Sequence, residues 1–186
     1  MNISSKRVAI LATNGFEQSE LEVPRDKLKQ AGATVDVVSP ESGEIKGWAI
    51  KDWGQPVKVD RRLDSVSADD YDAIVLPGGQ INPDLLRVNP QALKFIRAFF
   101  EQKKVVAAVC HAPWLLVETG IIKGRKATSY HSIKTDVVNA GAHWEDSAVV
   151  VDQGVITSRN PGDLDAFSAK IIEEIAEGRH VARSAA

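Results

Sequence analysis

A second cysteine is missing from this chain, and much follows from that. With Cys110 alone among 186 residues, no intrachain disulfide can form and no structural zinc site of thiolate type can be assembled. The lone thiol is left as either small core filler or the seat of chemistry. Also missing is any apolar run near the roughly 20 residues that a membrane span requires. Met1 to Arg7 lacks the apolar stretch and the small-residue cleavage site of a signal peptide. The expected location is the cytoplasm, with no membrane partner. Charge is balanced, 23 Lys and Arg against 25 Asp and Glu, for a net of -2. Such a chain has no general attraction to phosphate backbones, and nucleic acid is not expected as a stable partner. The histidines at 131, 143 and 180 show no metal-ligand spacing, so no metal is expected. What remains is a protein acting on a small substrate that is neutral or modestly charged.

What is present is enough for one sizeable core. The length and the 44% hydrophobic content suit one domain over 1–186, with its core at about 6–178 and a frayed tail at 179–186. Short apolar runs at Arg7–Thr13, Thr34–Val38, Asp72–Leu76 and Val105–Val109 read as buried strands. Between them lie helical patterns: Glu17–Ala31, with Pro24 expected to bend it and Gly32 to stop it, and Pro90–Lys103, with Leu93, Ile96 and Phe100 on one face. A further helix begins at Pro113 and ends by Gly120, and a short one spans Lys134–Ala140. Strands are expected at Lys126–Tyr130, Ala148–Val151 and Val155–Ser158, the last two forming a hairpin, and Pro161–Gly178 closes the chain as an amphipathic helix. The stretch Gly43–Val59 reads as a peripheral hairpin whose Trp48 and Trp53 are candidate pocket walls. Strands alternating with helices predict an α/β fold: a three-layer α/β/α sandwich on a mostly parallel, flavodoxin-like sheet, with ligands collecting at the carboxyl ends of the strands.

Three features meet at that edge. Cys110 follows the apolar strand Val105–Val109 directly and precedes a helix, which is the setting of a nucleophile elbow. A sulfur there would face the positive end of the helix and free backbone N–H groups, which favour the thiolate and lower its pKa. The alternative is a strand-end cysteine that simply packs in the core. Pro77-Gly78-Gly79 closes the neighbouring strand, and its backbone offers either oxyanion donors or an ordinary turn. The loop Asn14–Glu20 leaves the first strand at the same edge, with Glu17 and Glu20 one helical turn apart. A carboxyl held near a sulfur tends to keep its proton and to donate to the thiolate, because two adjacent anions are costly. That loop lacks the Ser/Thr and Gly run of a flavin-phosphate cradle, so no cofactor is expected.

Taken together, Thr13–Glu20, Leu76–Gly79, Ala108–Pro113 and the segment Ser129–Ala142 (SYHSIKTDVVNAGA) resemble the PfpI family, of the ThiJ/PfpI branch of the class I glutamine amidotransferase-like superfamily. The resemblance spans nearly the whole chain, and the order of four motifs is far more specific than any one of them. Members are described as intracellular cysteine peptidases, glyoxalases, protein deglycases and stress proteins. By position, the resemblance implies Cys110 as nucleophile, His111 as its neighbouring base and Glu20 as the carboxyl on the sulfur. Gly78 and Gly79, with the backbone at His111, would form the oxyanion pocket, with Glu17 and His131 beside the substrate. Adjacent side chains rarely face each other, so His111 would need an orienting carboxylate. The family supplies it from a neighbouring subunit, and Asp84 matches that position, which implies a homodimer or higher homo-oligomer. Locally read, Asp84 is equally a helix cap after Pro83, and His111 a helix-start residue. Two departures stand out: Ala112 where Gly is common, and His131 where Pro is common, the latter adding a titratable group near the site.

The expected function is therefore a cysteine-dependent stress-response hydrolase or lyase acting on dicarbonyls or glycated adducts, with a small carbonyl compound or a peptide as substrate. An intracellular cysteine peptidase is the first alternative. A non-catalytic redox-sensing or chaperone-like protein, its Cys110 oxidised to sulfinic acid, is the second.

Overall fold

The computed structural model describes residues 1–178 and His180. The expected frayed tail, 179–186, lies outside the described residues except for His180, whose N–H donates to the Lys103 carbonyl at 3.0 Å.

The first apolar run forms β1 (Arg7–Leu11), in which every residue after Arg7 is buried. Consecutive rather than alternating burial means that both faces of the sheet are covered. Val8 and Ile10 enter one core and Ala9 and Leu11 the other. The core beside Val8 is closed by Leu21 and Leu28 of α1 (Gln18–Gln30) and by Phe167, Ile171 and Ile175 of α6 (Leu164–Glu177). On the opposite face, α3 (Pro90–Glu101) brings in Phe95, Phe99 and Phe100, while α4 (Pro113–Glu118) adds Leu115 and Leu116. Asn89 starts α3 by accepting from the N–H groups of Gln91 and Ala92, and Pro90 sits at the first turn, where its missing N–H does no harm. Each large side chain so buried contributes about 2 kcal/mol.

Seven strands form the main sheet in the order β10-β11-β7-β6-β1-β2-β5. They are β10 (Val149–Asp152), β11 (Val155–Ser158), β7 (Val105–Val109), β6 (Ala73–Leu76), β1, β2 (Thr34–Ser39) and β5 (Arg61–Arg62). All neighbours are parallel except the hairpin β10–β11. The fold is thus the expected α/β sandwich. From β1 the chain moves outward through β2 to β5, then crosses back to β6 on the other side of β1. The loops after β1 and β6 therefore part company, and a crevice opens at their carboxyl ends.

The hairpin expected at 43–59 is β3 (Glu44–Ala49) with β4 (Asp52–Lys58), a separate two-stranded sheet in which Trp48 stands opposite Trp53. It reaches the crevice because Trp48 pairs with Glu17, just beyond β1, its N–H donating to the Phe16 carbonyl at 2.7 Å. α1 runs unbroken through Pro24, which deprives the Glu20 carbonyl of its helical donor.

The strand expected at 126–130 is a correction. Only β8 (Lys126–Ala127) forms, paired with β9 (His143–Trp144) outside the main sheet. The N–H of Thr128 goes instead to the Thr157 hydroxyl and that of Tyr130 to the Cys110 carbonyl, both at 2.8 Å. Helix α2 (Ile81–Leu86) starts from Gln80, so Asp84 lies inside it and the reading of Asp84 as its cap is corrected. α5 (Lys134–Asn139) completes the set as expected. Among the described residues no helix is long and apolar enough to cross a membrane.

Candidate active site

Cys110 sits immediately after β7 with a φ of 63°, left-handed backbone that costs a residue with a Cβ about 1 kcal/mol or more. Two hydrogen bonds hold it there. Its N–H donates to the Ser158 carbonyl at 3.0 Å, and its own carbonyl accepts from Tyr130 at 2.8 Å. The sharp turn folds the next side chain back over the sulfur, leaving His111 Nδ1 3.1 Å from Cys110 Sγ. The expectation that adjacent side chains would not face each other is thereby corrected. The elbow geometry itself brings them together.

On its other side the sulfur meets Glu20, from the first turn of α1. Glu20 has no exposed surface, its Oε2 accepts from the Gly78 N–H at 2.8 Å, its Oε1 is buried with no hydrogen-bond partner, and the carboxyl interacts with the Cys110 side chain and the Gly79 N–H. Only glycine fits at 78, since a Cβ there would come within 2.6 Å of Glu20 Oε2 and 2.7 Å of Cys110 Cβ. Gly78 N–H is therefore committed to Glu20 and is not an oxyanion donor. The N–H groups of Gly79 and His111 are the ones that reach the sulfur.

Burial decides the charge state of this group. Desolvation pushes the Glu20 carboxyl up to about 8, against the opposing hydrogen bond from Gly78, so it holds its proton at neutral pH. Desolvation also pushes the Cys110 thiol up, and the neighbouring carboxyl pushes it further. That is opposite to the lowering expected from a helix start. α4 begins only at Pro113, and two backbone N–H groups do not offset the loss of water. Burial likewise pulls His111 down, with His131 adding to the effect, so the imidazole is neutral. Its Nε2 lies 3.2 Å from the Ser132 hydroxyl. With the proton on Nε2 donated to Ser132, Nδ1 is free to accept from the thiol. In that tautomer Sγ–H points to Nδ1 and Nε2–H to Ser132 Oγ, with the Glu20 carboxyl on the other side of the sulfur.

The sulfur opens into a cleft of about 460 Å³ whose lining includes Glu17, Gly79, Trp48 and Tyr130. His131 is exposed and packs against Tyr130, with ring centroids 4.4 Å apart and the rings tilted by 37°, and is not among the residues that line the cleft. Asp84 is exposed on α2 and has no hydrogen bond to His111. It lines a shallower depression on the other side of the imidazole, with Ser132, Leu85 and Trp114. Among the described residues no cluster of three His, Cys, Asp or Glu side chains could hold a metal ion.

The family model of the DJ-1/PfpI family matches residues 6–174. The chain belongs to the DJ-1/PfpI family. It is 42% identical over 165 residues to YraA of Bacillus subtilis, whose name marks it as a candidate cysteine protease, covering 88% of this chain and 95% of YraA. It is also 42% identical over 167 residues to Deglycase PfpI of Pyrococcus furiosus, covering 90% and 98%. Among solved structures, Drosophila melanogaster DJ-1beta superposes with a TM-score of 0.84 at 31% identity, over 95% of this chain and 91% of that one.

Within this DJ-1/PfpI fold, two polar residues at the site escaped the sequence reading. Ser132 lies in the segment that carried the resemblance, yet nothing in its spacing shows that it meets His111. Asn82 is fully buried. Its Oδ1 accepts from Thr13 N–H at 2.8 Å, and its Nδ2 donates to the carbonyls of Pro77 and Gly78 at 2.8 and 3.2 Å. It ties the loops after β1 and β6 together and so fixes Gly78 against Glu20. Asn82 lies inside α2, and only its burial marks it out.

Proposed function

We propose that this protein is a cysteine-dependent hydrolase or lyase acting on reactive dicarbonyls or their early adducts. One observation carries the reading: Cys110 Sγ at the floor of a small cleft, 3.1 Å from the Nδ1 of a neutral His111 and beside a buried, protonated Glu20.

With the thiol neutral at rest, ionisation must accompany attack. As the S–C bond forms, the carbonyl π pair moves to oxygen and the thiol proton passes to His111 Nδ1, which returns it to that oxygen to give a hemithioacetal. For a dicarbonyl, Nδ1 then removes the hydrogen on the sulfur-bearing carbon while Glu20 Oε1–H protonates the adjacent carbonyl oxygen. Nδ1 then gives its proton to the neighbouring carbon while the hydroxyl on the sulfur-bearing carbon gives its proton back to Glu20, which yields the thioester of a 2-hydroxy acid. Water hydrolyses it, releasing the acid and restoring the thiol. The N–H groups of Gly79 and His111, aimed at the sulfur, stabilise negative charge beside it.

The test is methylglyoxal with enzymatic detection of lactate. Wild type is expected to form lactate and Cys110→Ala none, whereas equal rates would sink the reading. The peptidase alternative uses the same sulfur, and cleavage of an unfolded protein by wild type but not Cys110→Ala would favour it. Assembly as a homo-oligomer, with Asp84 of one copy near His111 of another, is part of the proposal. The exposed apolar side chains on and just after α2, Ile81, Leu85 and Val88, support it.

A further inference from the structure

The chemistry above uses Cys110, His111 and Glu20 and leaves Glu17 without a task. Glu17 lines the same cleft, half-buried, its backbone pinned by a 3.3 Å hydrogen bond to the Gly78 carbonyl and by pairing with Trp48. Its carboxyl accepts from the Ser19 hydroxyl at 3.3 Å. The rest of the lining has a consistent character. The rings of Trp48 and Tyr130 and the side chains of Ile50 and Ile81 face the same space, and among the described residues no lysine or arginine lines it. Beneath them lies Glu20, also a lining residue, whose Oε1 is fully buried with no hydrogen-bond partner. A cation entering this space meets a carboxylate shielded from part of the solvent. An anion meets the same carboxylate with no cationic side chain among the lining residues to compensate its lost hydration.

We propose that the cleft selects its carbonyl substrate by charge, Glu17 being the discriminating residue. It admits neutral and cationic substrates, such as adducts on ammonium- or guanidinium-bearing molecules, and turns away those carrying carboxylate or phosphate near the carbonyl. The proposal rests on the reading of this cleft as the carbonyl site.

Cys110 reports on it directly, without turnover. The full-length protein is reacted with 2-aminoethyl methanethiosulfonate (cationic) and 2-sulfonatoethyl methanethiosulfonate (anionic), and labelling is followed by intact mass. Rates are divided by those of 2-mercaptoethanol, a neutral thiol in free solution. The normalised cation-to-anion ratio is expected to be roughly tenfold or more, to fall several-fold in Glu17→Gln, and to shrink in wild type as salt rises from about 10 mM to about 1 M. A ratio near one, a ratio unchanged in Glu17→Gln, or a Cys110 that neither reagent labels would overturn the proposal. Charge-selective labelling without lactate formation would instead retain it and remove the dicarbonyl chemistry.

Discussion

The sulfur of Cys110 and the Nδ1 of His111 stand 3.1 Å apart although the two residues are neighbours in the chain. In extended strand they would point to opposite faces. The left-handed φ of 63° at Cys110 is what turns both toward one cleft, so strain at one residue brings the thiol and the imidazole together.

That strain should be measurable. Cys110→Gly relieves the positive φ and Cys110→Ala keeps it, while both remove the sulfur. The glycine variant is expected to be inactive on methylglyoxal yet more stable than the alanine variant by about 1 kcal/mol in urea unfolding. The reverse order of stability would show that the elbow is relaxed.

Glu20 links stability to pH. Its folded pKa is raised from 4.5 to about 8, so between those values the unfolded state has lost a proton that the folded state retains. Stability from this group is full below pH 4.5 and is lost as pH rises through about 8, a decline of a few kcal/mol. Denaturant unfolding across that range should show the decline in wild type and a much flatter profile in Glu20→Gln. Parallel profiles would mean that Glu20 is ionised in the folded protein.

Ser132 lies 3.2 Å from His111 Nε2 and, by accepting its proton, would favour the tautomer whose Nδ1 accepts. A hydrogen bond of this kind is worth about 1 kcal/mol. Ser132→Ala should therefore slow alkylation of Cys110 by iodoacetamide roughly five- to tenfold, and Ser132→Thr should restore most of the rate. Equal loss in both variants would indicate packing damage instead.

Asp84 separates a site complete in one chain from one completed by a second copy. Activity per subunit is expected to fall on dilution through the dissociation range seen by sedimentation velocity, and Asp84→Asn should lower kcat about tenfold at concentrations where the oligomer is intact. Activity independent of dilution and of Asp84→Asn would remove the intersubunit role.

The apolar runs VAIL, AIVL and VVAAV, with amphipathic helices between them, were sufficient to determine the layered sheet. Burial on both faces writes itself into consecutive apolar residues, and parallel crossovers demand the intervening helices. Because every such strand ends at the same edge, chain order alone also brought Glu17, Glu20, Gly79 and Cys110 into one region. The sequence could not show where each backbone N–H of 128–130 would find its acceptor, so a strand was expected where the chain instead braces the elbow and Thr157. Nor could it show that Gly78 would be consumed by Glu20, that His131 would turn outward, or that Ser132 and Asn82 would turn in. The contacts of Gly78 with Glu20, His111 with Ser132 and Asn82 with Thr13 join residues 21 to 69 positions apart, and local pattern carries no record of them. The charge state of the site was settled the same way. A helix start favours a thiolate, but in the folded protein Cys110 and Glu20 are enclosed together away from water, and the cost of desolvating two acids exceeds what two backbone N–H groups return.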